Sequence, residues 1–194
     1  MAVMSASFSG ESTAVVHCMV IIMVLGLLVS GLHGGNTQTF EPQYSYEVLF
    51  RTLSPEIQRM HRELLSAFEE ASYLRTPAGE WPSVARLSEK LIPPFDRDSD
   101  TGSDYQWEMR AESELIQYLG RPTSDGDKPF FLLSIQENIP HPPGTPLGDF
   151  HRRSDDGSVL HFGVWFHAKP KPVTQILDRP EREEWLQIIM GPRS

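Results

Sequence analysis

Residues 14–32, AVVHCMVIIMVLGLLVSGL, contain no Asp, Glu, Lys or Arg. This run constrains the chain more than any other feature, because about 20 apolar residues is the length at which one helix crosses a bilayer. A core helix of a globular domain would keep a polar face, and none is visible here. The segment is therefore expected to be a transmembrane helix. Val29, Ser30 and Gly31 would suit cleavage of a signal peptide. Against cleavage, residues 1–13 have no Lys or Arg and the run is long for a signal. An uncleaved anchor is the expectation. Cys18 does not suit a lipid anchor, since bulky His17 precedes it and most of the apolar run follows it.

The flanking charges do not fix orientation, because no cation precedes the run and Arg51 is the first after it. A short tail, one span and a long domain most often leave the domain outside. The expected layout is a tail (1–13), a transmembrane anchor (14–32), a tether (33–43) and an extracytoplasmic domain (44–194). That describes a single-pass membrane protein with its domain on the outer side. A domain of this size suits one core. The net charge of −9 argues against nucleic acid, which needs concentrated Lys and Arg. Cys18 is the sole cysteine, so the domain holds no internal disulfide and no CxxC motif.

The fold class expected for the domain is α+β, with helices packed on a small antiparallel β-meander. Ser54 as cap, Pro55 at the first helical position and Glu56 after it open a helix running to about Leu74. Ile57, Met60, Leu64, Phe68 and Ala71 supply its inward stripe. A shorter helix is expected over Ser83–Leu91, and further helical turns over Tyr105–Leu119, closed by Gly120 and Pro122. Strands are expected over Phe130–Gln136, Leu147–Arg153, Ser158–His167 and Val173–Leu177. Pro140–Pro146 reads as an irregular loop. Pro180 is expected to open a final helix, EREEWLQIIM.

The hairpin holds the most information. Leu160, Phe162, Val164 and Phe166 alternate with His161, Gly163, Trp165 and His167, so the two sets face opposite sides of a sheet. A three-residue turn at Asp155-Asp156-Gly157 puts Phe150 opposite Phe162, on the core face. A one-residue slip would reverse every side chain, so the register that buries Phe150 is favoured. His151 then lies across from His161, with Cβ atoms ~5 Å apart, and Asp149 is their neighbour on the same face. Two imidazoles and a carboxylate suit a divalent ion such as zinc. His141, on the proline loop, could join them. His167 is ~20 Å along the strand and could not. The bland counterpart is a half-exposed strand face with two ordinary histidines.

Other patterns point nowhere. The alternating carboxylates Asp96 to Asp104 put Thr101 where a calcium loop needs glycine and Trp107 where it needs Glu. No nucleophile elbow, HExxH, GxGxxG or phosphate loop occurs, so an enzyme is not expected. A small hydrolase would require a pocket lined by His161 and a carboxylate.

The string WPSVARLSEKLIPPF, then Trp107, then Tyr118-Leu119-Gly120, resembles a family of uncharacterised bacterial proteins with one N-terminal span and a periplasmic domain. The likeness covers Leu53 to about His167, while the proline loop and the acidic insert Asp98–Asp104 depart from it. Such proteins tend to be encoded beside metal-ion, often zinc, ABC transport genes. The resemblance implies a single-pass protein of the bacterial inner membrane with its domain in the periplasm, and an accessory role in metal uptake with transporter components as partners. The alternative is a non-catalytic structural domain of an envelope complex.

Overall fold

The computed structural model describes residues 15, 17, 19–23, 41–76, 78–96, 104–124, 127–138, 150–153, 158–169 and 173–191. The chain divides into two compact units, Met1–Thr39 and Phe40–Ser194. In the first, residues 15, 17 and 19–23 are helical, and the apolar side chains of Met19, Ile22 and Met23 are exposed. Among the described residues no helix is long and apolar enough to cross a membrane. Most of the expected anchor, 14–32, lies outside the described residues.

In the second unit the expected helix start is present. The Ser54 hydroxyl accepts the Ile57 N–H at 3.4 Å, and Pro55 opens α1, Pro55–Leu74. Its inward stripe, Met60, Leu64, Ala67, Phe68 and Ala71, is buried. Replacing Met60, Leu64 or Phe68 by alanine costs roughly 2–5 kcal/mol. Ser83 caps α2, Val84–Glu89, by accepting the Arg86 N–H.

These helices pack on a mixed but mostly antiparallel sheet. Its strands are β1 (Glu47–Leu49), β2 (Tyr105–Glu112), β3 (Leu115–Pro122), β4 (Phe130–Gln136), β5 (His151–Arg153), β6 (Val159–His167) and β7 (Leu186–Ile189). They run in the order β1-β7-β6-β4-β3-β2, with β5 also paired to β6. Since β1 and β7 pair in parallel, the sheet is larger than a simple meander.

Three expectations fail. Tyr105–Leu119 is not helical but forms most of the β2–β3 hairpin. Tyr105, Trp107, Met109 and Ala111 alternate with Gln106, Glu108, Arg110 and Glu112, a period of two. The connecting Ser113-Glu114 lacks the glycine, asparagine or aspartate favoured in a two-residue hairpin turn, and Ser113 takes φ 53° to close it. Gly120, read as a helix stop, lies under the Trp107 indole. A Cβ there would sit 2.6 Å from the ring. The final helix also fails. Pro180–Glu183 is one 3-10 turn, ended by Glu184 at φ 62°, and Leu186–Ile189 is a strand. Its pairing with Phe166 and with β1 outweighs the local helix signal.

Val173–Leu177, expected as a strand, instead crosses the sheet face opposite the helices, held by side chains. Arg110 donates to the carbonyls of Val173 and Gln175, and Arg121 to that of Val173. Gln117 donates to the Leu177 carbonyl at 2.7 Å and accepts the Leu177 N–H at 2.9 Å. The sheet thus has a core on each side. Tyr118, Phe131, Leu133, Val164 and Phe166 meet the helices. Leu119, Leu132, Trp165, Val173 and Trp185 form the smaller second core.

Candidate functional site

The expected register holds. His151 pairs with His161, and the Phe162 N–H donates to the Phe150 carbonyl at 2.9 Å. Phe162 stacks on Phe68 of α1 at 4.1 Å between ring centres. Phe162 thereby turns toward the helices and His161 toward the opposite face. Phe150 itself is only half-buried.

The two imidazoles are in contact, with ring centres 4.0 Å apart and planes at 70°. Both are half-buried. On its other side His161 pairs with Gln136 of β4, so His151, His161 and Gln136 form a row across three strands. Asp149 and His141, expected to complete the site, lie outside the described residues. His167 is set apart at the end of β6. Its Nδ1 lies 2.5 Å from the Lys169 carbonyl oxygen, and its ring meets Trp185 edge-on.

Beside the pair is a cleft of about 200 Å³ lined by Ser134, Gln136, His161, Trp165, Asp178 and Glu181, among others. Gly163 forms part of its wall. A Cβ there would sit 2.8 Å from the Trp165 indole nitrogen, so glycine lets that ring lie back along the strand. A neighbouring depression shares Gln136 and Asp178 and adds Glu112 and Glu114. Asp178 and Glu181 were not expected from sequence. They line this cleft with His161 because the 173–185 segment folds back over the sheet, and no local pattern signals that return.

A histidine beside carboxylates meets the stated requirement for a hydrolase pocket, and equally offers oxygen donors for a cation. The Ser134 hydroxyl in this cleft accepts from Gln117 at 3.4 Å, which ties it to the face-crossing segment. Among the described residues, no three His, Cys, Asp or Glu side chains are grouped to hold a metal ion. The imidazole pair alone supplies two ligands. A second groove of about 560 Å³ lies between α1 and β5, lined by Glu69, Glu70, Tyr73, Arg152 and Arg153. It is bridged by an exposed Arg152–Glu69 ion pair at 2.9 Å, a contact of small energetic weight in water.

The model of a family of unknown function, DUF6162, matches residues 48–191. No curated protein and no solved structure matches the chain.

Proposed function

We propose, for a chain that belongs to the DUF6162 family, that the domain binds a divalent cation through the imidazoles of His151 and His161. Its role would be that of an accessory to a metal-uptake system of the bacterial envelope. The observation supporting this is the contact between the two rings, 4.0 Å between centres, on a half-buried face beside a cleft that carries Asp178 and Glu181. Paired imidazoles suit zinc, which takes nitrogen and carboxylate ligands in tetrahedral sites. Asp149 and His141, or the cleft carboxylates after a side-chain rearrangement, would supply the remaining positions. Residues 14–32 would hold the chain in the inner membrane as a single-pass anchor, with the domain in the periplasm beside ABC-transporter components.

Zinc titration of the metal-stripped full chain, read by competition with a chromophoric chelator, tests the site. Replacing both histidines by alanine should weaken affinity at least tenfold. Equal affinity in the two proteins would remove the proposal. Because protons compete for the ligand nitrogens, affinity should also fall in acid. The anchor has its own test. The full chain should stay in the membrane pellet after alkaline carbonate washing, and release into the supernatant would refute a spanning helix.

A further inference from the structure

The two margins of the sheet differ. On one, β1 and β5 are three residues each, and β5 carries Arg152 and Arg153. Short, charged strands of this kind resist adding another strand. On the other margin β2 runs eight residues, Tyr105–Glu112, and no described strand pairs with its outer side. It contains no proline and no lysine. Its pairing with β3 is continuous from Tyr105–Pro122 to Glu112–Leu115, so no bulge interrupts it.

The phase of its backbone groups follows from one contact. The Thr123 N–H donates to the Asp104 carbonyl at 2.9 Å, one residue beyond the β2–β3 ladder. Hydrogen-bonded and non-bonded pairs alternate in an antiparallel ladder. Gln106, Glu108, Arg110 and Glu112 therefore turn their N–H and C=O groups toward β3. Tyr105, Trp107, Met109 and Ala111 turn theirs outward.

We propose that β2 pairs antiparallel with β2 of a second copy of this chain, about a two-fold axis at Met109, joining two sheets into one. The charge pattern selects this partner and register. Centred on Met109, residues 106–112 of both copies overlap, and Glu108 of each copy faces Arg110 of the other. Centring on Glu108 or on Arg110 would set like charges face to face, which is unfavourable. Centring on Trp107 would shorten the overlap to residues 105–109. Within one chain, Glu108 already meets Arg110 and Arg121, each at 2.8 Å. The same groups would continue that charged row across the new strand pair. This interface is remote in sheet order from His151 and His161, and its fate is independent of whether they bind metal.

Disulfide trapping tests the register. In full chain carrying Cys18→Ser, Met109→Cys places two thiols at a hydrogen-bonded pair, where Cα atoms are ~5.5 Å apart and a disulfide can close. Gln106→Cys instead faces Glu112 of the other copy, so its two thiols are ~20 Å apart. Under mild oxidation the first variant should run at twice 22.0 kDa on a non-reducing gel and the second should not. Trapping in neither, or equally in both, overturns the proposal. Met109→Pro gives a second reading, because proline is tolerated where an edge strand's N–H points outward. In detergent it should sediment as a monomer while the unmodified chain sediments as a dimer. Should that variant fail to fold, the cysteine pair still decides.

Discussion

His61 sits on α1 against the Phe50 ring, is 2% exposed, and leaves its Nδ1 without a hydrogen-bond partner. Burial, reinforced by the neighbouring Arg62 charge, lowers its pKa from 6.5 to about 4. Above pH 6.5 the imidazole is neutral whether the chain is folded or not, and its full contribution to stability is present. As pH falls from 6.5 toward 4, the unfolded chain takes up a proton that the folded chain refuses, and stability is lost. Below about 4 the loss stops. A shift of this size corresponds to something on the order of 3 kcal/mol. Urea unfolding at pH 7 and pH 4.5 should therefore show a smaller acid loss in His61→Leu than in the unmodified chain. Equal losses would refute the assignment. The apolar stripe of α1 was legible in sequence, but His61 was not part of it. Its position beside Met60 brings it under Phe50, which opens the 3-10 turn Phe50–Thr52 ahead of α1, and spacing within the helix does not reveal that.

At the scale of elements, the face-crossing segment Val173–Leu177 replaces a strand's ladder with side-chain hydrogen bonds. Gln117, 1% exposed, does this for both backbone groups of Leu177. Gln117→Ala would strand that half-buried N–H and C=O, costing at most about 1–3 kcal/mol, the figure for fully buried groups. The expected result is a lower melting temperature and faster amide exchange at residues 173–178, with exchange in α1 unchanged. Unchanged exchange at 173–178 would show that the segment is held by other contacts. Elements with a local punctuation signal were readable, as with Ser54-Pro55 for α1 and the alternation of residues 160–167 for β6. Where long-range pairing outweighed local preference they were not. Tyr105–Glu112 had a period of two, but its turn, Ser113-Glu114, carries no glycine or asparagine to mark it. Pro180 and the acidic residues after it looked like a helix start until Glu184 turned left-handed and Trp185 entered the second core.

For the whole molecule, the sheet is covered on both faces, by helices on one and by the returning C-terminal segment on the other. That second cover explains how much of the site could be read in advance. The His151–His161 contact followed from period and register alone, because both residues lie on neighbouring strands close in sequence. Asp178 and Glu181 arrive from a segment that packs across the sheet, and nothing near them in sequence marks their destination. The parallel pairing of β1 with β7 has a further consequence for biosynthesis. Glu47 meets Gln187 and Leu49 meets Ile189, so the first described strand to leave the ribosome finds its neighbour only after every strand between them has emerged. Until then Val48 and Leu49 lack that cover, and contacts so distant along a chain form late. Truncation just before Leu186 would remove β7 and with it the described partner of β1, leaving the opening strand of the sheet with nowhere to dock.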